Sequence, residues 1–240
     1  MILLGTIVNA IAIILGALIG KLLSGIPAGI RQTVMQAIAL AVITLGISMS
    51  LDSKNFLLLI VSLVIGSILG ELMRIEDRLN QAGKWLEKKV GGSKDGSIAT
   101  GFVTATLVYC IGAMAVLGAM DSGLRNNHDI LYTKAMLDGF SAIIFTSTLG
   151  IGVAFSAIPV FLYQGVIALL STQIYALVSQ TMLDAILVEV TAVGGIMIVA
   201  IGINILELKK INVANMLPAL IVAAAGVPLV EWLSALFLTK

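Results

Sequence analysis

The chain has 240 residues, of which 59% are hydrophobic and 11% are charged. A soluble globular domain has about 25% charged residues, so this composition and a mean hydropathy of +1.11 exclude that class. The formal net charge of +1 gives no indication of nucleic-acid binding. The single cysteine, Cys110, excludes an intramolecular disulfide bond. We therefore expect an all-α, polytopic membrane protein.

Apolar runs long enough to cross a bilayer recur along the whole chain. They predict eight spans, at about 2–20, 34–51, 56–71, 98–120, 136–156, 160–179, 185–206 and 211–233. The first run begins at Ile2 with no basic residue before it, which indicates a retained span rather than a cleaved signal peptide. The run from Gly139 to Leu183 is uncharged and too long for one crossing, so Pro159 predicts a turn between two helices.

The distribution of basic residues orients the predicted spans. With the N-terminus outside, the inner loops hold ten basic residues: Lys21, Arg31, Arg74, Arg78, Lys84, Lys88, Lys89, Lys94, Lys209 and Lys210. The outer loops then hold four: Lys54, Arg125, Lys134 and Lys240. This asymmetry predicts that both termini lie outside. The alternative is seven spans with a re-entrant segment, which would reorder the second half.

The segment 71–94 has a different pattern, with mixed charges on one side. Its apolar residues recur at helical spacing: Leu72, Ile75, Leu79, Leu86 and Val90, with Trp85 beside them. This pattern predicts an amphipathic helix on the inner membrane surface, anchored by the indole ring. The helix is either a connector or a surface for lipid sensing or partner docking.

A weak internal repeat relates the two halves of the chain. Leu45-Gly46-Ile47-Ser48 resembles Ile201-Gly202-Ile203-Asn204, and Glu71 and Glu231 follow two further matching glycines. Predicted spans 1–3 and 6–8 begin five spans apart, so the copies would cross the membrane in opposite directions. Inverted repeats of this kind are typical of transport proteins. We predict a first repeat at 1–75, a connector at 76–97, a central helix pair at 98–158 and a second repeat at 159–240.

The central pair is rich in hydroxyl and glycine residues. Thr146, Ser147 and Thr148 precede Gly150 and Gly152, a pattern that lowers helix propensity and favours an unwound turn. Such a turn would expose backbone groups to a solute or ion, with Tyr109 and Cys110 facing it from the preceding span. The alternative is close packing of small residues between helices.

Four further polar residues lie within or at the ends of the spans. The amides of Asn9 and Gln164 either line a polar pathway or hydrogen-bond between helices. Asp138 and Glu189 are either ion-binding or proton-relay groups towards the outer side, or structural groups, Asp138 as a helix cap. The predicted pathway therefore consists of Asn9, Tyr109, Cys110, Asp138, Thr146, Ser147, Thr148, Gly150, Gly152, Gln164 and Glu189.

Motifs of hydrolases, nucleotide-binding loops and metalloproteases do not occur in the sequence. His128 is the single histidine and is expected to be solvent-exposed in an outer loop. We therefore expect no enzymatic activity, no cofactor and no metal site.

Several segments resemble the YqgA/YdfK-like bacterial membrane proteins. The matching residues are Gly5 to Asn9, Tyr109 to Gly118, Lys134 to Phe140, Ser147 to Val153 and Tyr163 to Gly165. The resemblance implies a multi-pass protein of the bacterial cytoplasmic membrane. It also implies that Asn9, Asp138 and the run from Ser147 to Gly152 belong to the family pattern.

Together these patterns predict a membrane-embedded transporter or channel for a small solute or ion. We expect its partners to be the lipid bilayer, the solute and a second copy of the chain, with a dimer favoured. The alternative is a non-transporting scaffold or sensor that works through the amphipathic segment.

Overall fold

The computed structural model describes residues 1–23, 27–90 and 97–238. This part of the chain is all-helical, which confirms the predicted fold class. It contains ten α-helices: α1 (Leu4–Leu22), α2 (Ala28–Leu51), α3 (Phe56–Met73), α4 (Ile75–Val90), α5 (Ser97–Cys110), α6 (Ala113–Arg125), α7 (Asp129–Leu149), α8 (Ala157–Leu177), α9 (Gln180–Ile205) and α10 (Pro218–Leu238). Two 3₁₀ segments, Ile151–Ser156 and Val213–Met216, precede α8 and α10.

Several of these helices can cross a membrane. In the described part of the chain, six are long and apolar enough, or seven if the bent pair α5 and α6 counts as one span. α7 is not among them although it has 21 residues, because it carries polar and charged side chains. The prediction of eight spans and the predicted side of the termini therefore stay predictions.

The described chain divides into two compact units. The first comprises Met1–Ala37 and Asp77–Ile174, and the second comprises Ile38–Glu76 and Tyr175–Lys240. These boundaries differ from those of the sequence repeat, and the inverted repeat stays a prediction.

In the first unit, α1 and α7 pack against each other along most of their length. They share three close contacts that follow the same order in both helices: Gly5 with Leu131, Gly16 with Gly139, and Gly20 with Ile143. The two helices are therefore parallel. A Cβ atom on Gly16 would overlap the backbone oxygen of Gly139, so small residues let the two backbones meet.

α5 and α6 together run antiparallel to α7. Ile98 at the start of α5 lies against Gly152, and Tyr109 near its end stacks on Phe145 with ring centroids 6.2 Å apart. Gly118 of α6 then contacts Leu131 near the start of α7. The pair bends by 64° at its break but follows α7 from end to end. The pair is either one broken span or a re-entrant loop, so the predicted alternative of seven spans with a re-entrant segment stays open.

The turn predicted at Pro159 is wrong. Pro159 lies in the first turn of α8, where a missing backbone N–H removes no helical hydrogen bond. The chain breaks instead at Gly150, where α7 ends, and the 3₁₀ segment leads directly into α8. Gly150 has a φ of 88° and a ψ of 178°, a backbone conformation essentially restricted to glycine.

The second unit is built from the end of α2 with α3, α9 and α10. α3 packs closely on α10, where Gly66 contacts Ala219, and α2 meets α9 where Gly46 contacts Gly195. A buried apolar cluster fills the space between α3, α9 and α10, and includes Leu59, Ala192, Val193, Ala219 and Ala223.

The predicted amphipathic segment forms the helix α4. Trp85 is 56% exposed, and the Lys89 ammonium lies 4.7 Å from the centroid of its ring. The described residues do not include 91–96 of the predicted connector, which contain Lys94, or Lys240. They also do not include the side chains of Arg31, Leu86 and Val90. The position of α4 at a membrane surface stays a prediction.

Candidate functional site

Four polar side chains from three helices of the first unit form one cluster, which we call the α1–α7–α8 cluster: Asn9, Lys134, Asp138 and Gln164. Asn9 Nδ2 donates to Asp138 Oδ2 at 3.0 Å and to Gln164 Oε1 at 3.3 Å. Lys134 Nζ lies 3.0 Å from Asp138 Oδ1 and 2.9 Å from Oδ2. The cluster thus joins residues that are far apart in the sequence.

The cluster is almost completely enclosed by protein. Asn9 and Gln164 are 0% exposed, Asp138 5% and Lys134 7%. Lys134 and Asp138 are four residues apart on α7, so they lie on the same face of that helix. Ionic groups inside an apolar bundle are costly unless paired, and each charge here has its opposite as a partner.

The carboxylate determines how the two amides are oriented. An ionised carboxylate only accepts hydrogen bonds, so Asn9 must present its NH₂ group to Asp138. The same NH₂ group also faces Gln164, which must therefore present its oxygen. Asn9 Oδ1 and Gln164 Nε2 are consequently buried without a hydrogen-bond partner among the described residues.

Leaving such groups without partners is unfavourable, at roughly 1–3 kcal/mol each. Thr6 Oγ1, one helical turn before Asn9 on α1, is also buried without a partner. Unpaired buried polar atoms in one region indicate a place where water or a solute completes the hydrogen bonding.

Two sequence-based expectations about α7 are corrected. α7 begins at Asp129, so Asp138 is nine residues inside it, about 14 Å from its start, and cannot cap it. Lys134, which we expected in an outer loop, is also inside α7 and pairs with Asp138. Its four-residue spacing from Asp138 is the signal in the sequence that would have identified it.

The break between α5 and α6 lies alongside α7, between its two ends. Along α7, Tyr109 lies at the level of Phe145, and Gly118 at the level of Leu131. Ile111 and Gly112, the residues at the break, fall between these two levels. Tyr109 is 1% exposed and Cys110 is partly buried, and both are adjacent to the break.

The predicted hydroxyl run lies further along α7, near its C-terminal end. Ser147 and Thr148 donate hydrogen bonds back to the carbonyl of Ile144, at 2.8 and 3.0 Å. Thr146 is 1% exposed, packs on Gly20 of α1, and has no hydrogen-bond partner in the described part of the chain. Gly152 lies against the backbone of Ile98. Most of this run thus makes helix-packing contacts, and Thr146 is eight residues, about 12 Å, from Asp138.

Glu189 belongs to the second unit, not to the α1–α7–α8 cluster. It accepts hydrogen bonds from the backbone N–H groups of Lys54 and Asn55, at 2.7 and 2.9 Å, and from the Ser53 hydroxyl at 2.7 Å. These groups form the turn between α2 and α3. Glu189 also borders a cavity of about 360 Å³ whose wall is mostly apolar, with Lys54, Asp184 and Glu231 among its lining residues. Through these hydrogen bonds the Glu189 carboxylate stabilises the turn that precedes α3.

His128 is not exposed as predicted. It is 9% exposed, and its Nδ1 atom lies 2.7 Å from the Ser122 hydroxyl. This hydroxyl donates its one proton to the backbone oxygen of Ile2 and so accepts from His128. These contacts hold the start of α1 to the loop between α6 and α7. Among the residues that the structure describes, no group of three or more His, Cys, Asp or Glu side chains is placed to hold a metal.

Comparison with known proteins gives one family. The family described as "Protein of unknown function (DUF554)" matches residues 4–227. The chain belongs to the DUF554 family. The matched region includes all four residues of the α1–α7–α8 cluster.

Two relatives of this DUF554 protein carry the names that the sequence resemblance suggested. One is the "Uncharacterized membrane protein YdfK" of Bacillus subtilis, 36% identical over 171 residues, which cover 71% of this chain and 70% of the relative. The other is the "Uncharacterized protein YqgA" of Escherichia coli, 30% identical over 183 residues, which cover 75% and 76%. No solved structure matches the chain at a significant level.

Proposed function

We propose that this DUF554 membrane protein is a carrier for a small solute or ion, and that the α1–α7–α8 cluster is its binding site. The observation that supports this proposal is an ion pair and two amides, nearly inaccessible to solvent, inside an apolar helical bundle. Polar groups in such a position are rare because of their cost, and are usually functional.

The enclosure of the site favours a carrier over an open channel. A channel needs a continuous wet path, whereas the four side chains of the cluster are at most 7% exposed. A carrier can hold a site closed from both sides and open it by moving one group of helices against another. The proposal includes no enzymatic step, and assumes a bacterial cytoplasmic membrane and a dimer.

Flux through reconstituted liposomes tests the proposal. We expect the purified wild-type protein to move a solute or an ion faster than protein-free liposomes, and Asp138→Asn to reduce the flux per folded protein, since the variant is also destabilised. Asp129→Asn is the matched control, because it makes the same chemical change at an exposed position on the same helix. Equal flux in wild-type, Asp138→Asn and protein-free liposomes contradicts the proposal.

A lipid sensor is the second candidate, supported by the exposed Trp85 and the neighbouring Lys89 on α4. An exposed indole beside a lysine suits the interface of an anionic membrane. With Trp232→Phe, Trp85 is the sole tryptophan of the chain. A blue shift of its emission as the anionic lipid content rises, without any flux, would favour the sensor.

A further inference from the structure

We infer, on the basis of the proposed carrier function, that the solute is a small neutral molecule that both donates and accepts hydrogen bonds. It would bind between Asn9 Oδ1 and Gln164 Nε2, in the class of short polyols, small amides or water itself. The inference rests on which polar groups of the cluster are already paired and which are not.

The charges of the cluster are already balanced. The Lys134 ammonium and the Asp138 carboxylate are within 3.0 Å of each other, and the remaining two side chains are neutral amides. A cation would have to displace Lys134 from Asp138, and an anion would have to displace Asp138 from Lys134. Neither displacement is needed by a neutral molecule, which leaves the ion pair in place.

The unpaired atoms are one acceptor and one donor. Asn9 Oδ1 accepts, Gln164 Nε2 donates, and both side chains are 0% exposed. The two atoms belong to amide groups that are themselves hydrogen-bonded, with 3.3 Å between Asn9 Nδ2 and Gln164 Oε1. A single hydroxyl or amide group that donates to one and accepts from the other is their complement.

Thr6 adds a third unpaired group on the same side of α1. It precedes Asn9 by three residues, so the two side chains are neighbours on the helix surface, and its hydroxyl can donate or accept. A molecule with more than one hydroxyl or amide group can therefore use all three. The ion pair keeps its role in orienting the amides, and Asp138 acts on the solute through Asn9.

The test compares neutral solutes with ions in one preparation of full-length protein in liposomes. Stopped-flow light scattering measures the entry of water, glycerol and urea, and fluorescent indicators measure the flux of H⁺, Na⁺, K⁺ and Cl⁻. We expect the protein to accelerate at least one neutral solute and none of the ions. Transport of ions but not of neutral solutes overturns this inference and leaves the carrier function standing. If nothing is transported, both are overturned.

Two variants then locate the transport at the cluster. Asn9→Leu and Gln164→Met remove the unpaired acceptor and donor, and each should lower the neutral-solute flux about tenfold or more, as expected when a hydrogen bond to a buried group is lost. Gln173→Met is the control, since it makes the same change at an exposed position of the same helix. Unchanged neutral flux in both site variants overturns the inference. If a variant does not fold, the wild-type comparison of solutes still decides it.

Discussion

Asn9 Nδ2 lies 3.0 Å from Asp138 Oδ2, although 129 positions separate the two residues in the sequence. This hydrogen bond connects α1 to the middle of α7, and the parallel packing of these two helices on small residues makes it possible. The same Asn9 amide reaches α8 through Gln164. One side chain therefore joins three helices at the buried ion pair of Lys134 and Asp138.

Breaking the ion pair should destabilise the protein strongly. Asp138→Asn leaves the Lys134 ammonium buried without its counter-charge, which costs about 3–5 kcal/mol. The double variant Lys134→Met with Asp138→Leu removes both charges and should recover much of that stability. Unfolding in mixed detergent micelles measures these differences. If the double variant is as unstable as the single one, the lost stability does not come from an unpaired charge.

Small residues between α1 and α7 should be essential for packing. A methyl group at Gly16 would overlap the backbone of Gly139, so Gly16→Ala must push the helices apart, and we expect a loss of about 1–3 kcal/mol. Gly29→Ala is the control, because nothing lies within 4 Å of a Cβ atom at that position. Apparent melting temperatures in detergent compare the two. A drop of equal size in both variants would contradict the packing argument.

Replacing Glu189 should affect stability and not transport. Glu189→Ala removes the acceptor of the Lys54 and Asn55 backbone N–H groups in the turn between α2 and α3. Because the Asn55 N–H also lies 3.3 Å from Ser53 Oγ, we expect a total loss of about 1–3 kcal/mol. Flux per reconstituted folded protein should equal that of the wild type. The exposed Asp184→Asn on the same helix is the control for the loss of a carboxylate. If Glu189→Ala loses flux while its stability is unchanged, Glu189 belongs to the transport pathway and this prediction is wrong.

Replacing Gly150 by a residue with a side chain should destabilise the protein. Its φ of 88° and ψ of 178° cost about 1–3 kcal/mol for a residue with a side chain, so Gly150→Ala should lower the melting temperature. Gly165→Ala on α8 is the comparison, because a Cβ atom there meets only an ordinary contact of 3.7 Å with Leu3. Equal stability of Gly150→Ala and Gly165→Ala would show that α7 can end without this glycine-specific backbone conformation.

A single crossing by α5 and α6 would place the residues that flank the pair on opposite sides of the membrane. In a Cys110→Ser background, Lys84→Cys and Asn127→Cys place single thiols at exposed positions before and after it. A membrane-impermeant maleimide on whole cells should label position 127, and position 84 only after permeabilisation. Labelling of both from the same side is the result expected of a re-entrant loop. Labelling of 84 alone would reverse the predicted orientation.

Much of the architecture and part of the cluster were predictable from the sequence. Asn9, Gln164 and Asp138 were identified because polar side chains in apolar runs are conspicuous. Lys134 escapes the prediction because the apolar run begins only at Met136, while the helix extends back to Asp129. A lysine can lie this deep because Asp138 one turn later compensates its charge.

The breaks in the chain were harder to predict. Proline is common both in turns and in the first turn of a helix, so Pro159 alone does not show which of the two it occupies. The observed break lies instead at Gly150, where the backbone conformation ends α7. The break after Cys110 has no proline at all, and it lies at Gly112, whose φ of 127° and ψ of 151° are a backbone conformation that favours glycine. The pairing of Asn9 with Asp138 has no local signal in the sequence, because it depends on long-range packing.

The bend between α5 and α6 has a consequence for biogenesis. α5 has 14 residues and α6 has 13, so each is about 20 Å long. A hydrocarbon layer of about 30 Å needs roughly 20 helical residues, so neither half crosses it alone. If the pair is one span, we expect its two halves to enter the bilayer together and to need α7, which follows them in the chain, for stable insertion.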